Sequence, residues 1–391
     1  MNRPVRPRLT GMEIKTLSVP ARAVAAACLL AAAPAAGQEP EAASMFRFEL
    51  AIGEAGPLDL RFARIADLAV ATDGTIWVVD AGARVVRVFD GTGALVGTPG
   101  GPGSGPVELD APAMIRIVRD TVIVYDAGQQ RVSRFSLKGE ALGWEPLLPP
   151  PNLALADPTR LRDGRLLARS IYRASLSKKE RDPDIHVVLF QSDAARLDTL
   201  TSMPASPVVW YVPERPSQWG GETSPFGQGG AWALSGDSMM AIVNGYAGEV
   251  SFVRVEPGGM RRFRTVTMSA RGRPVTDHDL TQLRREIDRY RSTPLPRDVA
   301  FLTPPQWSII TGNAFFARDG TLWMERNNLS ETRAVWTRID PRTGTLRNFA
   351  FPKRFSLRSV DGLLHHGVWT EDDGRQSVRV YRSVNTHAVT G

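Results

Sequence analysis

One phrase recurs along the chain: a turn residue, a short apolar strand, a second turn and then an alternating strand. Its clearest forms are Gly74-Thr-Ile-Trp-Val-Val-Asp80 and Asp120-Thr-Val-Ile-Val-Tyr-Asp126. Looser forms are Gly164-Arg-Leu-Leu-Ala-Arg169, Asp237-Ser-Met-Met-Ala-Ile242, Gly320-Thr-Leu-Trp-Met-Glu325 and Gly362-Leu-Leu-His-His-Gly367. The starts are spaced 46, 44, 73, 83 and 42 residues apart. A period of about 40–50 residues is that of a four-stranded repeat unit, which cannot bury its faces alone and must stack on neighbours. Asp73-Gly74, Asp163-Gly164, Asp319-Gly320 and Asp361-Gly362 precede the apolar strand. Asp and Gly tolerate positive φ, so they suit the tight hairpin such a unit needs.

An alternating strand follows, as in Ala83-Arg-Val-Val-Arg-Val-Phe-Asp90 and Gln130-Arg-Val-Ser-Arg-Phe-Ser136. Later equivalents contain Val335, Trp336 and Ile339, then Val378-Arg-Val-Tyr-Arg382. The stretch Trp77–Gly93 resembles the NHL repeat. Gly103-Ser-Gly-Pro-Val-Glu-Leu-Asp-Ala-Pro112 is similar to the linker joining neighbouring units in that group. The resemblance is close over residues 47–140, diffuse over 141–310 and partly restored over 311–384. It implies an all-β, six-bladed β-propeller of four-stranded blades, and it implies no single activity.

The domain spans 46–384, with a tail at 385–391. The last blade has three strands of its own, and Phe46-Arg-Phe-Glu-Leu-Ala-Ile52 is placed to supply the fourth. That closure removes exposed strand edges. Two insertions interrupt the period, at about 173–230 and 270–300. The first contains an aromatic stretch, Pro204–Gly230, read as a loop. The second predicts one amphipathic helix over 276–292, with Thr276 and Asp279 at its start and Leu280, Leu283, Ile287 and Tyr290 on one stripe.

Ahead of the domain, a basic start and the apolar run Ala23–Ala33 lead to Ala35-Ala36-Gly37. This is the pattern of a secretory signal peptide over 1–37, followed by a short linker at 38–45, and it places the mature protein in the periplasm or outside the cell. The run is too short to span a bilayer. The single cysteine, Cys28, lies inside this leader. Lipidation there would leave a very short apolar run, so cleavage near Gly37 is the reading. Five basic residues stand against Glu13 in this segment, so much of the formal charge of +7 belongs to it. The remainder contains no dense Lys/Arg tract, and nucleic acid is not an expected partner.

No nucleophile elbow, zinc-protease helix or phosphate loop is found. The Gly-rich run Gly97–Gly105 joins strand to strand. Adjacent His365 and His366 point to opposite faces of one strand. Glu371-Asp372-Asp373-Gly374 is read as a hairpin turn. No catalytic residue, metal ligand or cofactor is assigned. Loops after each second strand converge at one end of a propeller channel, which makes Arg84, Arg131, Tyr172, Arg173, Asn244, Tyr246, Arg326 and Asn327 ligand-binding candidates. Trp210 and Trp219 of the aromatic insertion join them. The expected function is a monomeric, non-catalytic propeller binding a small molecule, glycan or protein partner at one channel mouth. The alternative is a metal-dependent hydrolase or lyase of the lactonase or amidating-lyase type.

Overall fold

The computed structural model describes residues 45–384 except 55–59, 148–152, 162–165, 173–183, 191–196, 205–206, 213–214, 224–226, 228, 237, 257–258, 282–299, 302–305 and 329–331. The leader, Cys28, most of the linker and the C-terminal tail lie outside the described residues.

The chain is an all-β propeller. Its four-stranded antiparallel sheets follow one another along the sequence. Sheet 1 comprises Ile65–Val70, Ile76–Asp80, Val85–Phe89 and Leu95–Gly97. Sheet 2 comprises Pro112–Val118, Thr121–Asp126, Arg131–Ser136 and Ala141–Pro146. Sheet 3 comprises Leu153–Arg160, Leu166–Tyr172, Asp184–Phe190 and Leu197–Pro204. Sheet 4 comprises Gly230–Ser235, Met239–Asn244, Glu249–Glu256 and Gly259–Thr267. Sheet 5 comprises Ile310–Phe316, Leu322–Arg326, Arg333–Ile339 and Leu346–Pro352. Sheet 6 has Phe355–Asp361, Leu364–Thr370 and Gln376–Ser383 in sequence, and Phe46–Ile52 pairs on its outside. Five sheets are described through most of their side chains; sheet 3 is described chiefly by its backbone.

The recurring phrase is the second strand of each sheet. Its continuous apolar character follows from burial on both faces. In sheet 1, Trp77 and Val79 pack toward Ile115, Val122 and Phe135 of sheet 2. Ile76 and Val78, alternating with them in sequence, pack toward Val368 and Val378 of sheet 6. Alternation along one strand therefore feeds two cores. The same sharing joins sheets 2 and 3 through Met114, Tyr125 and Ala168. Sheets 3 and 4 meet through Leu167, Met203, Met240 and Val253. Sheets 4 and 5 meet through Val243, Phe252, Leu322 and Met324. Sheets 5 and 6 meet through Trp323, Trp336, Phe351, Phe355 and Leu357. The core is a ring of shared interfaces.

The hairpins entering the second strands have the chemistry read from sequence. Asp73 Oδ1 accepts the Thr75 N–H at 3.0 Å and its hydroxyl at 2.7 Å, and Gly74 takes φ 86°. Asp319 repeats this with Thr321 at 2.9 and 2.6 Å, and Gly320 takes φ 80°. The Gly97–Gly105 linker is pinned by Leu109, whose N–H donates to the Gly101 carbonyl at 2.7 Å and whose side chain is buried.

The insertions differ from their sequence reading. Asp184–Phe190 and Leu197–Pro204 are the third and fourth strands of sheet 3, so much of 173–230 is repeat. Within the stretch read as a loop, Pro207–Val212 and Arg215–Thr223 form a hairpin. Ala300–Phe301 of the second insertion adds a third strand to it, pairing Trp210 with Phe301. The β-branched and aromatic run Val208-Val-Trp-Tyr-Val212 supplies the strand preference that the neighbouring Pro and Gly obscure. In the second insertion, residues 277–281 are helical; the rest of the expected helix lies outside the described residues. Its start is a capping box: the Asp279 N–H donates to Thr276 Oγ1 at 3.3 Å, and the Thr276 N–H donates to the Asp279 carboxylate at 2.8 Å. Arg273 clamps the same carboxylate at 2.6 and 2.9 Å and, with Thr276, holds its pKa well below the usual carboxylate range.

Candidate functional site

The first strand of every sheet faces the middle of the ring. Together they enclose a cavity of about 730 Å³. That volume lies in the range of small-molecule sites. Its wall runs through Ala66–Val70, Ala113–Val118, Ala231–Gly236, Thr311–Arg318 and Leu357–Asp361, with Thr159 and Arg169 from sheet 3 and Trp336 from sheet 5.

Five of the six inner strands are irregular, and only that of sheet 4 pairs in unbroken register. Pairing with the second strand slips between Ile65 and Asp67, Pro112 and Met114, Ala156 and Thr159, Ile310 and Ala314, and Leu357 and Ser359. A bulge leaves a residue out of the ladder and re-aims its side chain. Here the displaced residues include Thr311, Gly312, Asn313 and Arg358, all of which line the cavity.

Four arginines line the cavity, Arg116, Arg169, Arg318 and Arg358, against two aspartates, Asp67 and Asp361. The aspartates are engaged. Asp67 accepts the Leu68 N–H at 3.0 Å, the Ile115 N–H at 3.2 Å and Arg116 Nη1 at 2.7 Å. Asp361 accepts Arg318 Nη1 at 2.6 Å. The other terminal nitrogen of Arg318 donates to the carbonyls of Val70 at 3.2 Å and Ala71 at 2.6 Å. One side chain of sheet 5 thereby ties sheets 6 and 1. Arg358 differs: its Nε is buried with no hydrogen-bond partner. Within sheet 5, Glu325 accepts the Thr311 hydroxyl at 2.8 Å and Asn313 Nδ2 at 2.7 Å.

The residues singled out from sequence sit elsewhere, at the ends of the second strands, where they organise backbone. Arg84 has φ 58° in its turn and lies 3.4 Å from Asp110. Arg131 is buried; its Nη2 donates to the Gly105 carbonyl at 2.6 Å and to that of Glu108, with the guanidinium 5.2 Å from the Trp144 ring centroid. Asn244 Oδ1 accepts the N–H groups of Tyr246 at 3.1 Å and Ala247 at 2.9 Å. The Tyr246 carbonyl accepts the Gly272 N–H at 2.8 Å. Arg326 Nε donates to the Ile309 carbonyl at 3.2 Å, and burial pulls its pKa below the ordinary guanidinium value. Asn327 Nδ2 donates to the Ser308 carbonyl at 3.0 Å. Tyr172 ends a strand, and Trp219 pairs opposite Tyr211 in the inserted hairpin. The side chains of Tyr172, Trp210 and Trp219, and all of Arg173, lie outside the described residues.

Two of the four cavity arginines, Arg116 and Arg358, carry one sequence signal that the repeat search passes over: a guanidinium following apolar residues within a first strand, as in Met114-Ile-Arg-Ile117 and Leu357-Arg358. Such an arginine needs a wet face, and in a propeller the inner strand has one at the channel.

His365 and His366 are buried in the second strand of sheet 6 and do not line the cavity. His365 lies 5.0 Å from Phe46 and 5.5 Å from Trp323 between ring centroids, and its Nδ1 meets the Leu363 carbonyl at 3.0 Å. Burial lowers the pKa of His365 and of His366 to about 4. At the 371–374 turn, Arg354 pairs with Glu371 at 3.0 Å and Arg375 with Asp373 at 2.6 Å. Among the described residues no three His, Cys, Asp or Glu side chains cluster as metal ligands. No helix among them is long and apolar enough to cross a membrane.

No family model and no curated protein matches this chain. Its fold is similar to that of solved β-propeller proteins. A Bacteroides fragilis chain provisionally described as exported superposes with TM-score 0.48 at 12% identity, covering 88% of this chain and 96% of that one. Virginiamycin B lyase from Staphylococcus aureus gives TM-score 0.38 at 11% identity, with 87% and 100% covered. The PQQ-bound aldose sugar dehydrogenase of Streptomyces coelicolor gives 0.41 at 14%, with 86% and 97% covered. At these distances the likeness concerns architecture.

Proposed function

We propose that this protein is an exported, six-bladed, non-catalytic β-propeller that holds a small anionic molecule in its central channel. The observation that carries the reading is the arginine excess in the channel wall, with Arg358 Nε left without a partner. A buried polar group without a partner costs about 1–3 kcal/mol, so its retention calls for a reason. An anion in the cavity supplies one, since guanidinium pairs with carboxylate or phosphate oxygens through charge-assisted bonds. Enclosure by strands favours a small molecule over a protein partner. The count of six blades rests on taking sheet 3, with its full set of four paired strands, as a unit equal to the other five. Export rests on the leader pattern ending at Gly37. Trp210 and Trp219 of the inserted hairpin stay candidates for contact with the ligand in this reading.

The test is calorimetry on the chain starting at Gln38, with a panel of small carboxylates and phosphates and their neutral amides or esters. Saturable binding restricted to anions, weakening as salt is raised, is expected. Equal binding of anionic and neutral probes, or none by either, would refute the channel assignment.

A further inference from the structure

We infer that the hairpins joining the third and fourth strands of sheets 4 and 5 form a basic rim that seats on an anionic lipid bilayer. This surface stands apart from the channel, and its failure would leave the channel reading untouched.

The two hairpins carry arginines that the repeat does not require. In sheets 1 and 2 the corresponding turn and fourth strand, residues 90–97 and 137–146, contain no arginine. The same stretch of sheet 4 contributes Arg261, Arg262 and Arg264, and that of sheet 5 contributes Arg342 and Arg347. Arg254, opposite Arg261 on the third strand, makes six. Two carboxylates accompany them, Glu256 and Asp340. The chain's formal charge is +7, and segment 1–37 holds four of that excess. The rim's own excess of four therefore leaves the remainder of the propeller close to neutral.

The structure joins the two hairpins. Arg264 Nη2 donates to the Arg342 carbonyl at 2.6 Å and Nη1 to that of Thr343 at 3.4 Å, which fixes one hairpin against the next. The Arg254 guanidinium stands 5.7 Å from the Phe263 ring centroid. Arg261 meets Glu256 at 3.0 Å, and Arg342 meets Asp340 at 3.3 Å. Exposed pairs of this kind are weak in water, so the guanidinium groups stay available to an outside anion. Arg254, Arg261, Arg262, Arg342 and Arg347 are all exposed.

Two features select a bilayer. Arg261 lies opposite Arg254 and Arg262 opposite buried Val253, so these consecutive arginines point to the two faces of sheet 4. Charge wraps the outermost strand and does not gather in one cleft, which suits a broad anionic surface rather than one acidic side chain. The arginines also flank apolar side chains left in water: Phe263 and Leu346 are each 39% exposed. A soluble polyanion makes no use of them. At a bilayer, aromatic and aliphatic groups enter the headgroup layer while guanidinium groups pair with lipid phosphates.

The test is co-sedimentation of the chain starting at Gln38 with vesicles of phosphatidylglycerol mixed with phosphatidylcholine, and with vesicles of phosphatidylcholine alone. Binding to the first and not the second, reversed by high salt, is expected. Arg261→Glu with Arg262→Glu should weaken it at least about tenfold. Arg64→Glu with Lys138→Glu changes the net charge equally at exposed sites off the rim and should leave affinity within about twofold. Phe263→Ser should weaken binding about fivefold and leave its salt dependence unchanged. Melting curves confirm that each variant folds. Equal binding to both vesicles, or to neither, would overturn the proposal. An equal loss in the two charge-reversed variants would show that net charge acts and not the rim. Loss in Arg261→Glu with Arg262→Glu but none in Phe263→Ser would point to a soluble polyanion and overturn the bilayer as occupant.

Discussion

Asp80 and Asp126 close the second strands of sheets 1 and 2 and are both fully buried. Asp126 accepts N–H groups from Asp110 at 2.7 Å, Ala111 and Gly128 at 3.0 Å and Gln129 at 3.1 Å. It therefore ties the incoming linker to the turn. Asp126→Ala strands those donors and should destabilise the protein by about 2–4 kcal/mol, measured by denaturant titration. A loss under about 0.5 kcal/mol would mean that water replaces the carboxylate. These aspartates are legible in sequence because they recur at a fixed place in the repeat. Arg358 and Asn313 are not, because bulges set their direction and no sequence pattern marks where a ladder slips. The histidines give a pH dependence. His365 and His366 have an ordinary pKa of 6.5 and are lowered by burial to about 4. The folded state holds them neutral, so their contribution is complete above pH 6.5 and is lost as pH falls toward 4. Each ring contributes up to about 3 kcal/mol across that window. The melting temperature of the wild type should fall through it more steeply than that of His366→Leu. Parallel slopes would remove His366 from the effect.

At the scale of elements, the N-terminal strand shows how far repeat logic reaches. Phe46-Arg-Phe-Glu-Leu-Ala-Ile52 alternates and has no unit of its own, while the last unit lacks a strand; the pairing of Phe46 with Ser383 through Ile52 with Val378 follows. The fit is more than edge pairing. Phe46 lies 4.4 Å from Phe351 between ring centroids, Ile52 is buried in the interface of sheets 6 and 1, and Arg382 meets Glu49 at 3.0 Å. A chain starting at Gly53 should melt lower than one starting at Gln38 by on the order of 10 °C, since it loses apolar burial and bares the Gln376–Ser383 edge. Equal melting temperatures would show that the strand is dispensable. The insertions were harder to read because two segments far apart in sequence complete one sheet: Ala300–Phe301 pairs with Trp210 and Tyr211. Periodicity within a segment carries no information on a partner some ninety positions away, and the Pro and Gly that favour turns hide the strand.

For the whole molecule, the decisive property is that the stack of sheets has no free end. In an open solenoid the terminal repeat contacts one neighbour and can fray alone. Here each sheet contributes to two apolar interfaces, and the interface of sheets 6 and 1 is as well formed as the rest, with Phe89, Val368 and Val378 buried together. Opening any sheet bares two faces at once. The seam is reinforced by Arg318, which binds Asp361 of sheet 6 and the Val70 and Ala71 carbonyls of sheet 1 from its place after the inner strand of sheet 5. The ring should therefore unfold as one cooperative unit despite its length. Scanning calorimetry of the chain starting at Gln38 should show a single endotherm, with a calorimetric to van't Hoff enthalpy ratio of about one. Arg318→Ala should lower the transition temperature, since it leaves Asp361 and two carbonyls without their donor. It should also raise the enthalpy ratio if the seam then opens ahead of the remainder. Two resolved transitions in the wild type would show that the sheets unfold in separate blocks, and that sharing of cores between neighbours does not carry cooperativity round the ring.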